Sequence, residues 1–220
     1  MKHTDIIRKL NLEQKCALLS GETVFTTRAL PGKGIPSITL SDGPNGVRKQ
    51  AGAADHLGLN PSVPATCFPT SATVANSWDP ALGEAVGEAM GEEAAAQEVS
   101  VLLGPGLNIK RSPLCGRNFE YFSEDPLLTG KMACAQLRGM HRWGVTGTIK
   151  HFATNNQEHR RHFVESVVSE RALREIYLRG FEIAVKEGHA RSIMTSYNPL
   201  NGYWTASNYD LVTTILRGQW

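Results

Sequence analysis

Short apolar runs alternate along the chain with longer stretches in which apolar residues recur every three or four positions. The runs at 38–40, 99–104, 145–152 and 192–197 have the length of strands and end at turn residues. The longer stretches have the spacing of one helix face. A fifth run at 65–71 resembles a strand, but Pro69 argues against it. Strands that alternate with helices predict an α/β fold with a mostly parallel sheet.

Residues that start and stop helices support this order of elements. Asp79-Pro80 and Asp125-Pro126 each place a side-chain acceptor before a proline, a combination typical of a helix N-terminus. Three further helices, which glycine follows in each case, are predicted at 12–20, 169–187 and 208–217.

The predicted sheet is shorter than a complete barrel. A (β/α)8 barrel of TIM type typically needs about 250 residues, whereas the chain has 220. The last predicted helix ends at Gly218, where a further strand is expected, and only Gln219 and Trp220 follow. We therefore expect residues 1–220 to form one domain, a TIM-like barrel that is incomplete at its C-terminus and is a fragment of a longer protein. The alternative is a small, complete α/β domain.

Composition and charge argue against several classes of function. Lys and Arg number 23 against 21 acidic residues, and they form no basic stripe of the kind that binds nucleic acid. No run approaches the roughly 20 apolar residues of a membrane span. The charged N-terminus lacks the apolar core of a signal peptide. These features predict a cytoplasmic protein that binds neither nucleic acid nor membrane. The four scattered cysteines are expected to be buried thiols.

Polar residues lie at the ends of the predicted strands. Five of them come from four separate βα units: Asp42, Arg117, Lys150, His151 and Tyr197. In a parallel barrel the C-terminal ends of the strands converge on the active site. The placement therefore predicts one shared site, although polar residues also resume at strand ends for no functional reason.

Lys150 stands at the tail of an apolar strand, where desolvation of an ammonium group is costly. It either points into a polar pocket or extends its amine to solvent at the barrel rim. In a pocket it could bind a ligand, or it could attack a carbonyl as the Schiff-base lysine of an aldolase. His151 is expected on the opposite face if the strand continues regularly.

Two polar clusters have a structural and a functional interpretation. Residues 155–162 form either a solvated loop or part of a site. Their histidines lack an H-E-x-x-H pattern, so no metal or other cofactor is expected. Residues 119–125 could line a sugar site, but packing of a long loop, with Asp125 capping a helix, is the favoured interpretation.

Five ordered motifs together resemble glycoside hydrolase family 3. Residues 41–48 read S-D-G-P-N-G-V-R, and residues 104–126 contain G-P-G-L-N-I, G-R-N-F-E and F-S-E-D-P. Residues 150–158 read K-H-F-A-T-N-N-Q-E, with Arg161 after them. Residues 196–202 read S-Y-N-P-L-N-G, and residues 216–220 read L-R-G-Q-W. The matches span nearly the whole chain.

The resemblance implies hydrolysis of O-glycosyl bonds with release of terminal, non-reducing β-D-glucosyl residues. The expected ligand is a β-glucoside or a short β-linked oligosaccharide. The residues implied to bind the terminal sugar are Asp42, Arg117, Lys150, His151, Arg161, Met194 and Tyr197. The family retains configuration through two carboxyl groups. Both are expected beyond Trp220, so this chain is expected to carry no catalytic residue and to require C-terminal domains of the same enzyme.

Other activities within the same family remain open. A β-xylosidase or an α-L-arabinofuranosidase fits the motifs as well. Ala153-Thr154 replaces the Pro-Gly of the bacterial N-acetylhexosaminidase branch, which argues against that branch. The chain by itself is expected to be a catalytically inactive fragment.

Overall fold

Four parallel strands form the centre of the protein, as a computed structural model of residues 3–52 and 59–220 shows. The strands are β1 (Leu40–Asp42), β2 (Val101–Leu103), β3 (Thr146–Phe152) and β4 (Ser192–Thr195), and they lie side by side in chain order. Leu40 pairs with Val101 and Ile149 pairs with Ile193, so each strand neighbours the next along the chain. The predicted α/β class with a parallel sheet is confirmed.

Strands β2 and β4 are shorter than the apolar runs at 99–104 and 192–197, and two further strand predictions need correction. The first strand begins at Leu40 and includes Asp42, two residues later than the apolar run at 38–40 indicated. The reason is that the pairing with β2, and not the apolar run, sets its boundaries. The run at 65–71 forms no strand, and Ser71 begins a helix whose N-cap is Thr70.

Helices connect consecutive strands and cover the sheet. The α-helices of the described residues are α1 (Thr4–Arg8), α2 (Leu12–Ala17), α3 (Ser71–Ala75), α4 (Pro80–Ala96), α5 (Pro126–Arg142), α6 (Glu170–Ala172) and α7 (Arg179–Lys186). Helical turns of 3₁₀ type lie at Pro31–Lys33, Asn118–Glu120 and Thr205–Ser207, and π-helical segments at Leu173–Tyr177 and Asp210–Gln219. A short antiparallel hairpin follows β4 and consists of β5 (Pro199–Leu200) and β6 (Tyr203–Trp204).

The helix starts predicted at Asp79-Pro80 and Asp125-Pro126 are confirmed, whereas the helix predicted at 208–217 is a π-helical segment at Asp210–Gln219. The Asp79 carboxylate accepts from the backbone N–H of Ala81, and the Asp125 carboxylate accepts from those of Leu127 and Leu128. Each proline follows its cap at the first helical position, where the missing N–H removes no hydrogen bond. The predicted 169–187 helix is present but is interrupted by the π segment.

The core lies between the sheet and the helices α4, α5 and α7. Leu102 and Ile149 on the strands pack in the same buried cluster as Met132, Leu137 and Phe181 on the helices. Of the four cysteines, Cys115 and Cys134 are buried, whereas Cys16 and Cys67 are exposed. The prediction of buried thiols is therefore wrong for two of them, because both lie on surface segments.

Over residues 3–52 and 59–220 the parallel sheet is open, with β1 and β4 at its edges. In this part of the chain no helix has the length and apolar character required to cross a membrane.

Candidate functional site

The C-terminal ends of the four parallel strands surround a cavity of about 500 Å³, called here the strand-end cavity. All seven residues that the sequence suggested for sugar binding line it: Asp42, Arg117, Lys150, His151, Arg161, Met194 and Tyr197. Leu103 and Thr195 complete the lining. The residues are up to 155 positions apart (42 to 197), so the parallel sheet brings them together.

A tight turn places Asp42 at the first edge of the cavity. Asp42 is the last residue of β1, and its carbonyl oxygen accepts from the backbone N–H of Arg48 at 2.9 Å. A Cβ on Gly43 would lie 1.6 Å from the carbonyl oxygen of Gly46, which itself has φ +138°. Only glycine allows the chain to double back so closely, so the S-D-G-P-N-G motif is required by the turn that presents Asp42.

Lys150 and His151 are consecutive, yet both line the cavity. Opposite faces are expected only of a regular strand, and β3 is not regular here, because its pairing with β4 shifts register between Lys150 and Phe152. The peptide bond that joins Lys150 to His151 is cis. Asn108, in the loop after β2, fixes the backbone here: its side chain donates to the His151 carbonyl oxygen at 2.9 Å and accepts from the His151 N–H at 3.0 Å.

A buried carboxylate joins two of the cavity cations. Glu120 is 2% exposed, and its Oε2 lies 3.1 Å from Nζ of Lys150. Its other oxygen, Oε1, accepts from Nε of Arg117. Burial by itself would lower the pKa of Arg117, but the charge of Glu120 and the hydrogen bond to it outweigh burial and raise that pKa. Arg117 therefore stays charged, and both cations are held in place.

His151 is a neutral imidazole in this setting. Burial, followed by the positive charges of Arg117, Lys150 and Arg161, lowers its pKa to about 2. Its Nδ1 lies 2.9 Å from the hydroxyl of Tyr121, a residue that is 1% exposed. Burial also raises the pKa of Tyr121 well above its ordinary value, so the phenol keeps its hydrogen.

Arg161 and Tyr197 form the outer wall of the cavity. Nη1 of Arg161 donates to Oε2 of Glu158 at 2.9 Å, and the Arg161 guanidinium lies 5.0 Å from the centre of the Tyr197 ring. The ring of His162 is 4.6 Å from the same tyrosine ring. The tyrosine is 53% exposed, so an aromatic face remains open beside the cavity.

Loop packing is the interpretation that the sequence favours for most of residues 119–125, and two of them, Glu120 and Tyr121, do more than pack. Their side chains contact cavity residues, whereas Phe119 is 52% exposed and Asp125 caps α5. The signal that could have identified Glu120 is its three-residue separation from Arg117. Over residues 3–52 and 59–220 no cluster of His, Cys, Asp or Glu has the geometry of a metal site.

The chemistry of the cavity suits a neutral molecule with many hydroxyl groups. Guanidinium and ammonium groups donate, the Asp42 carboxylate accepts, and Leu103, Met194 and Tyr197 offer an apolar wall. Charges inside and directly behind the lining balance, since three cations (Arg117, Lys150, Arg161) face three carboxylates (Asp42, Glu120, Glu158). In the part of the chain that the structure describes, Asp42 is the one acidic residue of the lining.

Comparison with known families places these features in context. The sequence model of the Glycosyl hydrolase family 3 N terminal domain matches residues 51–220. Among curated relatives, Thermostable beta-glucosidase B of Acetivibrio thermocellus is 52% identical over 215 residues, which are 98% of this chain and 28% of that protein. An Exo-alpha-(1->6)-L-arabinopyranosidase of Bifidobacterium longum is 48% identical over 97% of this chain and 28% of its own length. The chain thus spans little more than a quarter of these relatives.

Solved structures agree with the sequence comparison. Beta-glucosidase 3B from Thermotoga neapolitana in complex with glucose superposes with a TM-score of 0.91 and 44% identity, over 98% of this chain and 32% of that one. Beta-glucosidase from Kluyveromyces marxianus in complex with glucose gives a TM-score of 0.92 at 40% identity, over 97% of this chain and 25% of that one.

Proposed function

This chain belongs to glycosyl hydrolase family 3, and we propose that the complete protein releases terminal β-D-glucosyl residues from β-glucosides or short β-linked oligosaccharides. The strand-end cavity is the site for the terminal sugar. The observation that carries the proposal is that Asp42, Arg117, Lys150, His151, Arg161, Met194 and Tyr197 all line this one cavity. The similarity to beta-glucosidases, two of them solved with glucose, supports the same substrate class.

The proposed function is accompanied by a proposal about the fold of the complete protein. Consecutive neighbouring strands, each followed by helices that cover the sheet, are the arrangement of a (β/α)8 barrel. We propose that β1 to β4 are four strands of such a barrel and that further strands and domains of the same protein complete the site. Support comes from the relatives, of which the chain spans 28% and 32% of the length.

Each cavity group has a role that its chemistry permits. The Asp42 carboxylate accepts hydrogen bonds from two adjacent sugar hydroxyls, and Arg117 and Lys150 donate to sugar oxygens. Glu120 keeps both donors at fixed positions, since its carboxylate contacts each of them. Met194 and Leu103 pack against the apolar face of the ring.

Retention of configuration requires two carboxyl groups about 5 Å apart, one as nucleophile and one as acid and base. Among residues 3–52 and 59–220, Asp42 is the one carboxyl-bearing residue in the lining, and Glu120 is occupied by Arg117 and Lys150. We therefore propose that both catalytic carboxyl groups lie outside this chain. Glycosidic bond cleavage then belongs to the complete protein, and this chain binds the sugar that is cleaved off.

An exo-α-L-arabinopyranosidase is the second candidate, because relatives with that name are 48% identical to this chain. An α-L-arabinopyranoside lacks the hydroxymethyl group of a glucoside and differs in the orientation of one hydroxyl. A site that hydrogen-bonds a hydroxyl discriminates strongly against a sugar that lacks it. Assay substrates can therefore separate the two. β-Xylosides and α-L-arabinofuranosides belong in the same assay, since nothing in the cavity favours either.

The Schiff-base aldolase has no support in the geometry of Lys150. Its Nζ contacts the Glu120 carboxylate at 3.1 Å, which uses the ammonium as a hydrogen-bond donor. A Schiff-base lysine must instead present a neutral amine to a carbonyl.

The test measures hydrolysis of 4-nitrophenyl glycosides by the complete protein, its Asp42→Ala and Lys150→Ala variants, and the isolated 220-residue chain. We expect hydrolysis of the β-D-glucoside, and a fall in kcat/KM of about a hundredfold in each variant. Lost transition-state contacts worth several kcal/mol would have that effect. Lys33→Ala, at an exposed lysine, is the matched control. We expect no hydrolysis by the isolated chain. Preference for the α-L-arabinopyranoside would select the second candidate, and wild-type kinetics of both variants would refute the assignment of the cavity.

A further inference from the structure

A chain of hydrogen bonds leads from the surface loop 155–162 to the imidazole of His151. Asn155 and Tyr121 are its inner members, each at most 2% exposed, and Glu158 is its outer end. Neither Asn155 nor Tyr121 lines the strand-end cavity. Their side-chain contacts nevertheless decide which nitrogen of His151 carries a hydrogen.

The direction of the chain begins at a group that can only accept. The Glu158 carboxylate, which also pairs with Arg161, accepts from Asn155 Nδ2 at 3.0 Å. The atom of Asn155 that faces Glu158 must therefore be the amide nitrogen. The same nitrogen lies 3.2 Å from the Tyr121 hydroxyl and donates its second hydrogen there.

The Tyr121 oxygen thus already accepts one hydrogen bond, and its own hydrogen needs an acceptor because the residue is buried. The acceptor within reach is Nδ1 of His151, at 2.9 Å. If Nδ1 carried a hydrogen instead, the phenolic hydrogen would have no acceptor among the contacts of the described residues. A neutral imidazole whose Nδ1 accepts must carry its hydrogen on Nε2.

We propose that Asn155 and Tyr121 are positioning residues that hold His151 as the Nε2–H tautomer, so that the imidazole presents a hydrogen-bond donor to the strand-end cavity. Over the described residues, Nε2 has no protein partner, and His151 lines the cavity. The Asn108 side chain fixes the His151 backbone and so the position of the ring. That the donor serves a sugar oxygen rests on the proposed function. The tautomer itself rests on the contacts alone.

The tautomer is measured by ¹⁵N NMR of histidine rings in the complete protein, with the His151 signals identified by their loss in His151→Gln. We expect Nδ1 without hydrogen and Nε2 with hydrogen, unchanged from roughly pH 5 to 9. A histidine of ordinary pKa, about 6.5, would titrate in that range. In the unsubstituted protein, a hydrogen on Nδ1 or a doubly protonated ring would overturn the proposal.

One variant and its control test the chain of hydrogen bonds. Tyr121→Phe removes the donor, so we expect a mixture of tautomers and a fall in kcat/KM of about tenfold, the effect of one lost hydrogen bond. Tyr209→Phe makes the same change at a 70% exposed site and is expected to change neither the tautomer of His151 nor kcat/KM. An unchanged tautomer in Tyr121→Phe would contradict the proposed chain of hydrogen bonds.

The double variant Asn155→Asp/Glu158→Gln reverses the direction of the hydrogen bonds from position 158 to His151, with little change in the shape of the side chains. The new amide at position 158 and the Tyr121 hydroxyl would both donate to the new carboxylate at position 155. The Tyr121 oxygen would then accept from Nδ1 of His151. We expect the Nδ1–H tautomer there and the Nε2–H tautomer in Glu158→Gln alone. Retention of Nε2–H in the double variant would refute the proposal. Absence of glycosidase activity in a protein with the expected tautomer would instead refute the proposed function.

Discussion

At the scale of single residues, Glu120 shows why a buried charge can be tolerated beside a binding cavity. Its carboxylate is satisfied by Lys150 and Arg117, and Lys150 has no other ionic contact among the described residues. Removal of one partner from a buried pair leaves the other charge desolvated, which costs about 3–5 kcal/mol. The arrangement therefore constrains Lys150 more than it stabilises the fold.

We predict that Glu120→Gln, in the complete protein, lowers kcat as well, so that kcat/KM falls by a larger factor than KM rises. The amide cannot hold both cations in the positions that they need in the transition state. Steady-state kinetics measures the effect. Glu124→Gln, four residues further along at an exposed glutamate, is the matched control. If Glu120→Gln and Glu124→Gln have the same kcat and KM, Glu120 has no role in the cavity.

At the scale of elements, α4 and α5 approach each other closely. These helices form the connections from β1 to β2 and from β2 to β3. A Cβ on Gly139 of α5 would lie 2.3 Å from the carbonyl oxygen of Glu84 on α4, so backbone packs on backbone here. Arg138 and Arg142 of α5 pair with Glu84 and Glu88 of α4 at the exposed rim of the contact.

We predict that Gly139→Ala destabilises this pair of helices by about 2 kcal/mol. Overpacking costs 1–3 kcal/mol, and the better helix propensity of alanine offsets only part of it. Hydrogen exchange measured by mass spectrometry should be about thirtyfold faster in peptides from α4 and α5. Gly32→Ala, where a Cβ would meet no atom within 4 Å, is the control. An unchanged rate of hydrogen exchange in Gly139→Ala would show that the two helices move apart to accommodate the added methyl group without loss of stability.

At the scale of the whole molecule, the open sheet has a free edge at β4 over the described part of the chain. Beside this edge a cavity of about 220 Å³ is lined by Ile149, Val185, Ile193 and Leu216, among others. An unpaired strand edge next to apolar side chains is a template for association.

We predict that the 220-residue chain, expressed alone, associates or exposes hydrophobic surface. The complete protein, tested under the same conditions, is expected to stay monodisperse, since the proposed further strands would pair with β4. Size-exclusion chromatography, dye binding and thermal unfolding are the measurements. A monomeric chain with one sharp, cooperative transition would contradict the prediction and favour a small, complete domain.

The sequence by itself determined the order of elements and the residues of the cavity. Asp79 and Asp125 mark helix starts by local chemistry, because a cap bonds to N–H groups two or three residues away. Four strands alternate with helices, and parallel strands must end at one edge of the sheet. Together with the motifs, that sufficed to name seven residues that line one cavity.

Only the tertiary structure decided how those residues are oriented. The register shift in β3, which turns Lys150 and His151 to one cavity, depends on pairing with β4, more than 40 residues away in sequence. The same holds for Glu120 and Tyr121, whose partners Lys150 and His151 lie 30 residues further along the chain. Local sequence reports on neighbours within a helical turn or along a strand. Contacts between distant loops arise only when the sheet has formed, because pairing and burial then select which polar groups meet.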